Sequence, residues 1–200
     1  MTVETSAVAP VLTASGPVVS RRISHKVFGM ALFIGVEAML FAGFISAFTI
    51  VKAVYPPGAW PPAGQPRLPV AATAGTTLML LASGALLWMA GRRFSTSAQS
   101  ARPWLAASTG LGALFVAIQG WEWANLIAQG LTLNSSPYGS FFYTIVGAHA
   151  LHAVPAIVAL VLSWWRLADG RLSANGFAAV RMFWYFVVLV WPVLYWKVYL

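Results

Sequence analysis

Apolar residues fall into five long runs separated by short polar gaps, at about residues 27–51, 70–90, 104–128, 138–165 and 176–199. Each run supplies the ~20 residues that a helix needs to cross a hydrocarbon layer about 30 Å thick. The pattern predicts an all-α integral membrane bundle of five transmembrane helices. Residues 1–22 are mostly Ala, Val, Ser, Thr and Pro, and lack the basic stretch that opens a signal peptide. They read as a disordered tail, and 23–200 as one transmembrane domain.

Charge placement gives direction to the spans. Arg21, Arg22, Lys26, Arg92, Arg93, Arg102, Arg166, Arg171 and Arg181 fall on one side, while Lys52, Arg67 and Lys197 fall on the other. The richer side reads as cytoplasmic, which puts the N-terminus in the cytoplasm and the C-terminus outside. Trp88, Trp104, Trp164, Trp165 and Trp184 then lie near inner helix ends, and Trp60, Trp121, Trp123 and Trp196 near outer ends, as two interfacial belts. The proline-rich connection from Tyr55 to Pro66 reads as an extended outer strap.

Composition narrows the chemistry. Hydrophobic residues make up 60% of the chain and charged ones 8%, against roughly 25% in soluble domains. The net charge of +8 sits in the gaps rather than on one amphipathic face, which argues against nucleic acid as a partner. With no cysteine, thiolate metal sites, iron–sulfur clusters and disulfides are excluded. No phosphate-binding glycine loop, H-E-x-x-H or G-x-S-x-G motif occurs.

Small residues recur on the third span at Ala106, Gly110, Ala113, Ala117, Gly120 and Ala124, a helical spacing that suits close helix packing. The fourth span carries a similar stripe with His149, His152, Ala156, Ala159 and Ser163. Pro155 and Pro192 are expected to bend the last two spans and open a cleft.

Four residues inside spans are ionisable in ways that invite function: Glu37, Glu122, His149 and His152. Glu37 is about 15 Å from the inner start of its span and His149 about 16 Å from the outer start of its own, so the two are placed to pair near the midplane. His152 lies one turn nearer the cytoplasm. Gln119, Glu122, Asn125 and Gln129 share a face near the outer surface. Glu37 suits a structural hydrogen-bonded acid, a proton relay or a lipid-headgroup contact. The histidines suit satisfied interior groups. Two histidines three apart on one helix cannot sandwich a heme iron, and a metal site lacks a third ligand beyond Glu37. The residues alone suit an accessory membrane subunit, with a small proton or ion carrier using Glu37 and His149 as the rival.

Several motifs in order resemble subunit III of the heme–copper oxidases, in its compact five-helix bacterial form. They are Glu37 in GVEAMLFAGF, Trp60-Pro61-Pro62, Gln119 and Glu122 in IQGWEW, the run Tyr138-Gly139-Ser140 with Phe142-Tyr143, and Gly147-Ala148-His149-Ala150-Leu151-His152. In the last helix the family's usual His and Asp are replaced by Tyr185 and Val188, while Trp184, Phe186 and Trp191 match. The resemblance implies a non-catalytic subunit of the bacterial inner membrane that binds no heme or copper itself. It implies partners: the catalytic subunit I and copper-binding subunit II, with a fourth subunit or a respiratory supercomplex also open. It further implies structural phospholipid in a helix cleft near Glu37, His149 and His152, and a role in sustaining proton uptake. An accessory protein of a nitric oxide reductase is the near alternative.

Overall fold

The computed structural model describes residues 24–56 and 58–200. The expected tail, residues 1–22, lies outside the described residues. Five helices follow in order: α1 (His25–Val54), α2 (Val70–Thr96), α3 (Ala98–Ala128), α4 (Pro137–Ala168) and α5 (Ala174–Leu194), the last running into a π-turn at Tyr195–Tyr199. All five are long and apolar enough to span a membrane. No strand occurs among the described residues.

Local chemistry sets several ends. Ser136 and Ser173 cap α4 and α5 by accepting from the Gly139 and Gly176 amides at 3.1 and 3.2 Å. Gly130 and Gly170 take positive φ after α3 and α4. There the Leu131 amide reaches back to Leu126 O, and the Arg171 amide to Arg166 O, at 2.9 and 2.8 Å. This is the Schellman arrangement, which only a residue free of a Cβ adopts cheaply. The gap expected between the second and third spans shrinks to Ser97. Arg92, Arg93 and Arg102 stay helical because the backbone needs no change where it leaves hydrocarbon for water. Pro192 cannot donate to the preceding turn, and the π-turn begins three residues later.

α5 packs against α1, α2 and α4, and α3 packs against α2 and α4. α1 is peripheral; Phe41 and Phe48 are its buried residues. The tightest seam joins α2, α3 and α5. Ser83 and Ser108 each donate a hydroxyl to the other's carbonyl at 2.8 Å. Trp184 Nε1 donates to Ser83 Oγ at 3.1 Å, and Trp191 Nε1 to Thr77 Oγ1 at 2.9 Å. In an apolar medium such polar contacts join helices that hydrophobicity alone does not sort.

Two expectations change. Trp184 is no belt residue: it is fully buried, because its indole finds Ser83 inside. Gly110, Ala113, Ala117 and Gly120 face outward, so a helix packed on them lies outside the described chain. The close approach on α3 is made instead by Gly112, against the Trp184 ring. The strap after α1 is turned at Gly58 and Gly64 rather than simply extended. Trp60 folds it back onto Phe48, Tyr55 and Tyr138, with ring centroids 5.0–5.7 Å apart.

Candidate functional site

The two intramembrane acids occupy separate sites. On α1, Glu37 Oε2 lies 3.0 Å from His152 Nε2 of α4. The contact is close but off the hydrogen-bond axis. His152 Nδ1 is 2.7 Å from Ala148 O, which can only accept, so Nδ1 carries the hydrogen. Nε2 then meets Glu37 in one of two forms: a lone pair facing a carboxylic acid, or an N–H facing a carboxylate. Both are neutral overall, which suits a site deep in a bilayer. Phe33, Phe41, Phe183 and Phe186 surround the imidazole, with centroids 5.6–6.4 Å away.

The expected Glu37–His149 pair does not form. His149 lies tilted on the Trp191 ring of α5 at 5.0 Å and meets α1 through the edge of Phe41 at 6.3 Å rather than through Glu37. It is buried, and its Nε2 has no hydrogen-bond partner. One helical turn decides the partner, because α1 meets α4 at the level of His152.

Glu122 is held from two helices. Its Oε2 accepts from Gln119 Nε2 at 2.8 Å and from Thr73 Oγ1 at 3.3 Å. Gln119 Nε2 also approaches Thr76 Oγ1 at 3.2 Å. The polar face expected from Gln119 to Gln129 therefore splits. Gln119 and Glu122 turn inward to α2, while Asn125 and Gln129 stay exposed. Thr73 and Thr76, with Thr77 beside them as the partner of Trp191, are what reading the sequence missed. Their spacing, which puts all three on one face of an apolar helix, was the available signal.

A cavity of about 470 Å³ opens where α1, α4 and α5 meet at the basic end. Lys26, Arg166 and Arg171 line it, with Ser163 and Ser173. These are the same three helices that hold the Glu37–His152 pair.

The two positions that depart from the expected last-helix motif fare differently. Val188 packs where a Cβ on Gly84 would stand 3.1 Å from its Cγ1. Tyr185 is half-buried, and its hydroxyl has no hydrogen-bond partner.

Fold and sites together define a polytopic helical membrane subunit in which both intramembrane acids contact polar groups of other helices. Residues 15–200 match the family model described as cytochrome c oxidase subunit III. The chain is 30% identical over 180 residues to cytochrome c oxidase subunit 3 of Synechocystis, covering 88% of this chain and 75% of that protein. It is 35% identical over 185 residues to that of the sea urchin Strongylocentrotus purpuratus, covering 86% and 68%. It is 31% identical to the probable cytochrome c oxidase subunit 3 of Mycobacterium leprae, covering 86% and 85%. The chain belongs to the cytochrome c oxidase subunit III family. It is an accessory subunit III of a heme–copper oxidase, a multi-pass protein of the plasma membrane that associates with the catalytic oxidase subunits.

Proposed function

We propose that this subunit keeps its oxidase active by fixing a phospholipid between α1, α4 and α5 and so sustaining proton uptake by the catalytic subunit. The basic end of the bundle faces the cytoplasm. The lipid phosphate sits among Lys26, Arg166 and Arg171, and its acyl chains run along the α1–α4 groove. Lys26 is about 16 Å from Glu37 along α1, and Arg166 about 21 Å from His152 along α4, close to the length of an acyl chain. The observation that carries this reading is the 3.0 Å contact of Glu37 with His152 on the same helices as the basic cavity. The pair ties α1, otherwise the loosest helix, to α4 without placing net charge beside the acyl chains. Subunit I and the copper-binding subunit II are the partners, they hold the heme and copper, and a c-type cytochrome is the donor.

Affinity purification in mild detergent, with an optical spectrum and mass spectrometry, tests the assembly. Heme absorbance with a catalytic and a copper-binding subunit is expected. A nitric oxide reductase subunit in their place would overturn the oxidase reading, and a colourless chain eluting alone would favour the carrier.

The lipid site has its own test. The double variant Arg166→Ser, Arg171→Ser is expected to purify with fewer phospholipids per heme and to lose activity sooner during turnover. Unchanged lipid content would remove the basic cavity from the proposal.

A further inference from the structure

The outer surface of α3 differs in kind from that of its neighbours. Where α1 and α4 face outward they present large side chains, among them Leu32, Val36, Met39, Leu151 and Val158, each more than half exposed. α3 exposes Leu114, Trp121 and Ile127 as well, but beside them runs the unbroken small stripe from Ala106 to Ala124, a strip about 27 Å long. Gly110 and Gly120 have nothing within 4 Å of where a Cβ would stand. Lipid chains pack well on large apolar side chains and do not call for a flattened helix, whereas another helix backbone does.

A second observation lies at the stripe's far end. A cavity of about 240 Å³ opens between α3 and α4, with Gly120 and Val154 among its lining. Its walls are mostly apolar, yet Gln119, Trp123 and His149 also line it. Gln119 Oε1, Trp123 Nε1 and His149 Nε2 all lack a hydrogen-bond partner. Gln119 and His149 are 4% and 2% exposed. Three orphaned polar groups beside one cavity are costly in a bilayer, where no water competes to satisfy them.

We infer that the stripe and the cavity form one docking surface for a transmembrane helix of another oxidase subunit. That helix lies along Ala106–Ala124 and carries a hydroxyl or amide side chain level with Gly120. The side chain enters the cavity and satisfies members of the orphaned set: a hydroxyl donates to Gln119 Oε1 while accepting from Trp123 Nε1. This deepens the oxidase reading, on which it rests, by naming the face and the chemistry of the contact.

Photo-crosslinking in the purified oxidase complex tests it. A diazirine amino acid is placed at Ala117 and, in a separate sample, at Leu78, which is 68% exposed on α2. Ala117 is expected to join one transmembrane peptide of a partner subunit, and Leu78 to join lipid or detergent. The joined peptide is expected to bear Ser, Thr, Asn, Gln or Tyr at the level of Gly120. Ala117→Leu is expected to cost most of the subunit from the purified complex, while the separately expressed subunit keeps its folded yield. Lipid adducts alone at Ala117, in a complex that still contains this subunit, would overturn the docking surface and leave the oxidase reading standing. A wholly apolar partner peptide would overturn the polar insertion. Failure to recover any oxidase with the chain would overturn the reading on which both rest.

Discussion

Gly112→Leu is expected to abolish the folded bundle, whereas Gly110→Ala, two residues away, is expected to leave it intact. A Cβ on Gly112 would stand 2.5 and 2.6 Å from Cζ2 and Cη2 of Trp184. The ring has no room to yield. Trp184 is 0% exposed, and its Nε1 is fixed by Ser83, which is itself locked to Ser108. A larger residue must push α3 away from α5 and break those contacts in turn. Overpacking alone costs roughly 1–3 kcal/mol. Displacing the indole adds a loss of the order seen for Trp→Ala, about 3–5 kcal/mol. Together these rival the whole stability of a typical domain, about 5–15 kcal/mol. The measurement is the yield of monodisperse, protease-resistant protein in detergent. Gly112→Ala should lie between wild type and Leu. A Gly112→Leu protein as resistant as wild type would show that α3 and α5 do not meet there.

The contrast between Gly110 and Gly112 shows what the sequence could and could not reveal. Five spans were legible because hydrocarbon demands a long apolar run, and that demand is written residue by residue. Which face of each span points inward was not, because lipid and protein interior are equally apolar and the periodicity of a soluble helix fades. The regular small-residue stripe therefore gave no sign that it faces outward, while the seam inside the chain rests on Gly112 and Ser108, which form no longer pattern. Trp184 misled for a related reason. Indoles are common at headgroup level, and only the position of Ser83 on another helix reveals an interior partner. Among the candidate site residues, Glu37 does meet a histidine of α4, but not the one expected. His149 and His152 are both near mid-depth on α4, so a shift of one turn between α1 and α4 exchanges them. The threonines around Glu122 were visible only as polar residues in an apolar run. Their pairing with Gln119 needs the α2–α3 register, which no single span encodes.

Glu37→Leu is expected to insert and fold but to shorten the working life of the oxidase several-fold. Insertion should not suffer, since a centrally placed acid costs about 2.5–3.5 kcal/mol on translocon scales and leucine removes that cost. The fold should survive because interhelical polar contacts in membranes average about 0.6 kcal/mol and reach about 1.7. What changes is local. His152 stays anchored through Nδ1 to Ala148 O, and its Nε2 is left unpaired among four phenylalanines. α1 loses its only ion pair to α4 among the described residues, and with it the wall of the proposed lipid groove. Glu37→Gln separates two roles for the acid. The amide can still donate to a neutral Nε2, so it preserves the bridge, but it cannot give up or take on a proton as the carboxyl does. The readout is oxygen consumption followed to inactivation, counted as turnovers per oxidase, with phospholipid per heme measured alongside. Impairment in Leu with recovery in Gln assigns Glu37 to holding the groove. Equal impairment in both, with lipid retained, assigns it to proton movement. Undiminished turnover in both variants would sink the proposal that this pair sustains the oxidase, and leave Glu37–His152 as a packing contact alone.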